Sequence, residues 1–231
     1  MKYKEFLNTS DTKFHNRTKN SQKLSIKNTA TFKSGTTTVG LACKDEVVLG
    51  TDKRASMQYF VASKTAKKVH QIQPHLYLTI AGSVADAQQL VDILRARTSL
   101  YQMEQGKKIP VKAAAQILSN ILYRNKLFPY QVGLILGGVT KEEGPMVLNI
   151  GALGSRLPEK FAAVGSGQNY SYGVLEAKYK EGLTTEEGKE IVKTAVKSSI
   201  KRDIASGNGI DIVVVKESGP AECEFIPITK N

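Results

Sequence analysis

At 231 residues, with 41% hydrophobic and 23% charged side chains, the chain has the size and make-up of one globular domain with an added tail. No stretch approaches the ~20 apolar residues of a membrane span, and the N-terminus lacks the apolar core of a secretory signal, which leads to a cytoplasmic reading. The net charge of +12 invites a nucleic-acid partner, but residues 1–35 carry half of it, the rest is only mildly basic, and no RNP motif, zinc finger or aromatic-interleaved basic strip is present.

Residues 1–35 hold eight lysines and arginines against Glu5 and Asp11, with no sustained periodicity and few large apolar residues. They read as a loosely extended tail. The pattern changes at Ser34-Gly35-Thr36-Thr37-Thr38, where a flexible pair meets a triple threonine that opens a strand-like run, Thr37–Cys43. Such a break marks a precursor cut between Gly35 and Thr36. Residues 1–35 are then the part removed, and 36–231 the domain retained. A new N-terminus at Thr36 carries a hydroxyl and a free amine on one residue, a nucleophile with its own base.

Val47–Thr51 follows after the loop Lys44-Asp45-Glu46 and predicts a hairpin with the first strand. Val69–Gln73 and Leu76–Ala81 predict two more strands about a Pro74-His75 turn. Helical spacing then takes over. Ala87, Leu90, Val91, Leu94, Thr98 and Tyr101 share one face, as do Val111, Ala114, Ala115, Leu118, Ile121 and Leu122 beyond the Gly106-to-Pro110 loop. Val132–Leu136, Met146–Ile150 and Phe161–Val164 predict a second set of strands, and Gly165-Ser166-Gly167 leads into a helical stretch. Thr184-Thr185-Glu186-Glu187 is a capping box opening a helix with Ile191, Val192, Ala195, Val196 and Ser199 inward. Ile210–Val215 and Cys223–Ile226 close the chain as strands.

The order is strands, two helices, strands, two helices, strands. It lacks the β-α alternation of a doubly wound parallel sheet and predicts an α+β fold: two stacked antiparallel sheets with helix pairs outside. Cys43 and Cys223 lie in apolar stretches without CxxC spacing and read as reduced, buried thiols. His15, His70 and His75 have no partners at metal-ligand or triad spacing and are assigned to the tail, the surface or a pocket wall. No metal or cofactor is expected.

Three further positions bear on the chemistry. A hairpin centred near Asp45 brings Asp52 opposite roughly Thr38, within a residue or two of Thr36. Alone, Asp52-Lys53-Arg54 also reads as a polar strand end. Of Lys67 and Lys68, strand alternation turns one inward, where Asp52 would offset its desolvation. Ala81-Gly82-Ser83 ends a strand and begins a helix, a corner with free backbone N–H groups suited to an oxyanion. Gly165-Ser166-Gly167 lacks the third glycine of a dinucleotide fingerprint, and Arg202 to Gly207 reads in isolation as a glycine C-cap.

Together, Gly35-Thr36-Thr37-Thr38-Val39-Gly40, Thr51-Asp52-Lys53-Arg54-Ala55-Ser56, Lys67-Lys68, Ala81-Gly82, Gly165-Ser166-Gly167, Tyr172-Gly173-Val174-Leu175-Glu176 and Arg202-Asp203-Ile204-Ala205-Ser206-Gly207 resemble a proteasome β subunit of the archaeal type. The resemblance runs from Thr36 to about Val215. It implies an N-terminal nucleophile hydrolase, a four-layer αββα sandwich and threonine endopeptidase activity on unfolded polypeptides. Position by position it makes Thr36 the nucleophile, Lys68 the buried cation that keeps the Thr36 amine deprotonated, Asp52 its counter-ion and Gly82 the oxyanion donor. Ser166, Asp203 and Ser206 become hydrogen-bonding groups around the N-terminal threonine. Ala55, Ser56, Ala66, Ile80 and Val84 become the substrate pocket, with His70 and Gln88 at its mouth. It further implies seven-membered β rings stacked as a pair, flanking rings of α subunits and an ATPase unfoldase, with no nucleic acid and no membrane. Ser56 stands where threonine is common, and the tail is longer than usual. The rival readings are an inactive ring subunit, the bacterial ATP-dependent peptidase of the same fold, and a basic nucleic-acid-binding module, which would bind with steep salt dependence.

Overall fold

A computed structural model describes residues 34–57 and 59–228; the expectations for residues 1–33, His15 included, lie outside them. Thirteen strands and four helices follow in the described residues. Strands β1 (Ser34–Gly35), β2 (Thr37–Ala42), β3 (Val47–Asp52), β4 (Ala55–Met57), β5 (Phe60–Ser63), β6 (Val69–Gln73) and β7 (Leu76–Gly82) precede helices α1 (Val84–Gln105) and α2 (Val111–Arg124). Strands β8 (Val132–Thr140), β9 (Gly144–Ile150), β10 (Arg156–Glu159) and β11 (Phe161–Gly165) lead to α3 (Gln168–Lys178) and α4 (Thr185–Arg202). Strands β12 (Ile210–Val215) and β13 (Glu222–Ile226) end the fold.

Two five-stranded sheets, ordered β10-β9-β8-β7-β6 and β11-β2-β3-β12-β13, pair antiparallel throughout. Three apolar cores separate the layers. Leu90, Leu94, Leu118 and Leu122 pack α1 and α2 on Leu78, Leu134 and Leu136 of the first sheet. Val47, Leu49, Tyr77, Ile135, Val147 and Val213 fill the space between the sheets. Val192, Ala195 and Val196 of α4 meet Val39, Leu41, Val48 and Ile212 of the second sheet. The arrangement is the expected αββα sandwich, its order of layers dictated by which strand face is apolar.

Local chemistry sets the ends of the elements. At the start of α4 the capping box is complete: Thr184 Oγ accepts from the Glu187 N–H, and Glu187 Oε2 accepts from the Thr184 N–H at 2.8 Å. Ser83 caps α1 through the Asp86 N–H, and Asp86 in turn accepts from the Gln131 N–H at 2.9 Å. These bonds pin the corner after Gly82 to the start of β8.

The structure departs from the sequence reading in several places. Ser34 and Gly35, read as tail, form β1 and pair with Met57 and Ser56 of β4. The β4–β5 hairpin and β10 carry no clear alternation and were not foreseen. The β2–β3 turn spans four residues and is closed by the Cys43 N–H donating to the Glu46 carbonyl at 2.9 Å. Its even length pairs Thr38 with Thr51 and shifts Asp52 to Thr37, one residue from the expected register. Cys43 is buried, and burial with Glu46 and Glu187 nearby pushes its thiol up to about 12, leaving it protonated and inert. Cys223 is exposed, because β13 is the outer strand of its sheet. His75, in its turn, is buried, its Nε2–H donating to the Ile109 carbonyl at 3.0 Å.

Candidate active site

Thr36 sits between β1 and β2 and is only 3% exposed. Its hydroxyl donates to the carbonyl oxygen of Gly35 at 2.6 Å. Its amide N–H donates to Ser166 Oγ at 3.1 Å. The Thr36 hydroxyl oxygen thus lies against the carbonyl of the bond expected to be cut.

Beside it, at the end of β3, Asp52 is fully buried and all its acceptor positions are filled. Oδ1 accepts from the Thr37 N–H at 2.9 Å and from Lys68 Nζ at 2.7 Å. Oδ2 accepts from the Arg54 N–H at 3.0 Å and the Gly207 N–H at 2.9 Å. Lys68, just ahead of β6, is the inward member of its pair and Lys67 is exposed. Lys68 Nζ also donates to the Arg54 carbonyl at 2.5 Å. Burial pulls the Lys68 ammonium below the ordinary lysine pKa, and Asp52 opposes that pull by Coulomb attraction and a hydrogen bond.

A second carboxylate organises the other side. Asp203 caps the C-terminus of α4, its N–H donating to the Ser199 carbonyl at 2.7 Å. A helix C-terminus disfavours an anion, so the carboxylate is held by donors. Oδ1 accepts from the Ala205 N–H at 3.1 Å, and Oδ2 accepts the hydroxyls of Ser166 at 2.5 Å and Ser206 at 2.6 Å. Each serine has one proton and gives it to Asp203. Ser166 Oγ is therefore left as acceptor for the Thr36 N–H, and Ser206 Oγ as acceptor for the Thr37 hydroxyl at 2.7 Å. Two polarised chains converge on one acid.

Two glycines close the walls. Gly165 has φ +109°, and a Cβ there would stand 2.0 Å from the Thr36 carbonyl oxygen. Gly82, φ +122°, ends β7; a Cβ there would stand 2.1 Å from the Gln131 carbonyl oxygen. Ile80 donates its N–H to the Lys68 carbonyl at 3.0 Å, and Ser83 donates to Gln131 on the other side at 2.9 Å. By ladder alternation the Gly82 N–H points to the Lys68 side, beyond the first residue of β6.

A cavity of about 340 Å³ opens here, lined by Thr36, Ala55, Ala66, Ile80, Gly82 and Val84 among others. A larger one, about 620 Å³, lies beyond Asp203 between Arg54 and Arg202 and does not reach Thr36. Among the described residues no cluster of three or more His, Cys, Asp or Glu is placed to hold a metal.

Comparison with known proteins decides the family. The proteasome subunit family matches residues 32–215. Proteasome subunit beta of Methanohalophilus mahii is 48% identical over 197 residues, covering 85% of this chain and 93% of the relative. That of Methanocaldococcus fervens is 49% identical, covering 80% and 83%, and that of Methanosarcina thermophila 44%, covering 80% and 88%. The chain belongs to the proteasome β-subunit family.

Within this proteasome β-family site, the structure brings together Thr36, Asp52, Lys68, Gly82, Ser166, Asp203 and Ser206. Ser56 is the exception among the expected pocket residues. On β4 successive side chains face opposite ways; Ala55 lines the cavity, while Ser56 Oγ accepts from the Gly35 N–H at 3.2 Å and donates to the Ala205 carbonyl at 3.3 Å. It holds β1 and the loop after α4 rather than lining the cavity. Arg202 to Gly207 is not a glycine-capped helix end: Asp203 is the cap, and Gly207 serves Asp52.

Sequence reasoning missed Thr37 and Arg54. Arg54 Nε donates to Asn208 Oδ1 at 2.8 Å and Nη1 to the Ile204 carbonyl at 2.7 Å, clamping the end of β3 to the loop that carries Ser206. Its signal was a charged residue next to a site carboxylate. Thr37 stood in view inside the triple threonine, without a feature to separate it from its neighbours.

Proposed function

We propose that this chain is a threonine-type endopeptidase subunit of the proteasome core that exposes its own nucleophile by cutting between Gly35 and Thr36. One observation carries the reading: the Thr36 hydroxyl, 2.6 Å from the Gly35 carbonyl oxygen, is joined through Thr37 to a buried Asp52–Lys68 pair.

In the precursor the Thr36 Oγ attacks the Gly35 carbonyl carbon. The acyl group passes from nitrogen to oxygen, and water hydrolyses the ester, releasing residues 1–35 and freeing the α-amine. In turnover that amine, directly or through a water, takes the hydroxyl proton as Oγ attacks a peptide carbonyl. A free α-amine titrates near ~8, suited to a base at neutral pH. The Lys68 cation favours its neutral form, and Asp52 holds Lys68 charged and aimed. The Gly82 N–H stabilises the oxyanion. Water then releases the acyl product from Thr36. Ser166, Asp203 and Ser206 orient the threonine and its neighbour, while Ala55, Ala66, Ile80 and Val84 line the pocket for the residue before the cut.

Membership of the family supports an assembly of seven-membered rings of this chain, stacked as a pair, between rings of α subunits and fed unfolded polypeptides by an ATPase. Confinement in such a particle keeps a broad peptidase from the rest of the cytoplasm. Among the described residues no helix is long and apolar enough to cross a membrane.

Intact mass of the assembled particle tests the reading. A chain beginning at Thr36 is expected. An uncut chain in a particle that hydrolyses peptides would overturn it, since Thr36 would then have no free amine.

A further inference from the structure

Gly35, on the acyl side of the bond expected to be cut, is buried against a wall that the cavity beside Thr36 does not share. A Cβ built on Gly35 would stand 1.7 Å from Ala205 Cβ, 2.8 Å from Ala205 Cα and 2.8 Å from Ser56 Oγ. Neither Ala205 nor Ser56 lines the cavity, whose walls include Ala55, Ala66 and Ile80. A side chain at position 35 would therefore be driven into the loop after α4 and not into the cavity.

That wall is fixed from several sides. The Ala205 N–H donates to Asp203 Oδ1 at 3.1 Å, and the neighbouring Ile204 carbonyl accepts from Arg54 Nη1 at 2.7 Å. Two residues on, the Gly207 N–H donates to Asp52 Oδ2 at 2.9 Å. The wall cannot retreat without loosening Asp203 and Asp52, and 1.7 Å is well inside the ~3.5 Å at which two carbons rest. Ser56 supplies the tie. Its single hydroxyl proton goes to the Ala205 carbonyl at 3.3 Å, which leaves its lone pairs for the Gly35 N–H at 3.2 Å. One buried hydroxyl thus binds Gly35 to the wall it lies on, while the Gly35 carbonyl meets the Thr36 hydroxyl at 2.6 Å.

We propose that Ser56 and Ala205 are positioning residues for the removal of residues 1–35 and not for the turnover of other peptides, a division that rests on the hydrolase reading above. A substrate can pair with the same edge of β4, but its residue at the cut carries a side chain and cannot lie as Gly35 lies. With that side chain in the cavity, its backbone is turned away from Ala205 and out of the pose that Ser56 holds. Gly35 has no side chain to anchor it. The Ser56 hydroxyl does so instead, keeping the carbonyl carbon within reach of Thr36 Oγ. Glycine at 35 and alanine at 205 are two halves of one steric fit, so enlarging the first is offset by trimming the second.

The test follows leader removal over time, by intact mass, in particles assembled from the full-length chain and its α subunits. kcat/KM for a fluorogenic peptide is normalised to the fraction of chains that begin at Thr36. Ser56→Ala is expected to slow leader removal about tenfold, the scale of one buried hydrogen bond, with a clearly smaller loss in normalised kcat/KM. Ser56→Thr keeps the hydroxyl and is expected to restore the rate. Gly35→Ala is expected to slow removal about a hundredfold, the scale of an overpacked contact. Adding Ala205→Gly is expected to return about tenfold or more beyond the product of the two single effects. Equal proportional losses of removal and turnover in Ser56→Ala, or removal at the unsubstituted rate, overturn the proposal. Strict additivity of Gly35→Ala and Ala205→Gly overturns it as well, and decides alone if Ser56→Ala does not assemble. In each case an unsubstituted particle that begins at Thr36 and cuts the peptide leaves the hydrolase reading standing; one that cuts the peptide with its leader intact overturns both.

Discussion

Asp52 and Lys68 meet at 2.7 Å in a site where the carboxylate is fully buried, yet the two partners are not equally dependent on each other. Asp52 keeps three backbone N–H donors if Lys68 is removed. Lys68 keeps one carbonyl if Asp52 is removed. Asp52→Asn is therefore expected to destabilise the subunit by about 3–5 kcal/mol, the cost of a buried charge left without its counter-ion. Lys68→Met is expected to cost clearly less while abolishing peptide hydrolysis equally. Thermal unfolding midpoints and turnover of the two variant particles check the order; equal losses of stability would refute this asymmetry.

Thr36→Ala removes the group to which the proposed mechanism assigns both processing and turnover. Its particle is expected to retain the leader and to cut no peptide. Mass spectrometry and a peptide assay read both outcomes, and normal turnover by this variant would require a different nucleophile.

Ser206 gives its proton to Asp203 and accepts the buried Thr37 hydroxyl. Ser206→Ala strands that hydroxyl, at a cost of about 1–3 kcal/mol. Adding Thr37→Val removes the stranded group, so the double variant is expected to be more stable than Ser206→Ala alone. A double-mutant cycle on melting midpoints measures the coupling; strict additivity would break the proposed chain of donors.

Gly165→Ala places a methyl 2.0 Å from the Thr36 carbonyl oxygen in a backbone conformation that disfavours side chains. Loss of leader removal is expected, with destabilisation beyond the ~1 kcal/mol of an ordinary glycine replacement. Gly173→Ala is the control. It lies in α3 with nothing within 4 Å of an added Cβ, and should stabilise by about 0.5–1 kcal/mol.

His75 and His70 both titrate below the ordinary histidine value because burial disfavours their charged forms, with Lys108 adding to the effect at His75 and Lys67 at His70. The unfolded chain then binds protons more tightly than the folded one. Stability is complete above about pH 6.5 and is lost as the pH falls from there through the folded values. Melting midpoints between about pH 8 and 5 should show the decline, and His75→Gln, which keeps a donor for Ile109, should flatten it.

Most of the sandwich was legible because its elements are long and one-sided. The inward faces of α1, α2 and α4 follow from helical spacing, and β2, β3, β6 and β7 from apolar runs. The β4–β5 hairpin escaped because its residues are mostly half or fully exposed and show no buried stripe. In the site, hairpin register placed Asp52 close to Thr36, a local argument, while alternation left Lys67 and Lys68 open and the family resemblance chose Lys68. Arg54 and Thr37 act through a loop some 150 residues away, a distance over which no periodicity speaks. Cys223 was misjudged for a related reason: an apolar neighbourhood in sequence does not tell an edge strand from a central one.

The pairing of Ser34 and Gly35 with β4 has a bearing on every later substrate. The proposed cut after Gly35 would take β1 away and leave an open strand edge at Met57 and Ser56, with backbone groups in register to receive another extended chain. On that mechanism the domain is rehearsed on its own sequence: the first polypeptide laid across Thr36 is the one it was born with, and its departure leaves the mould.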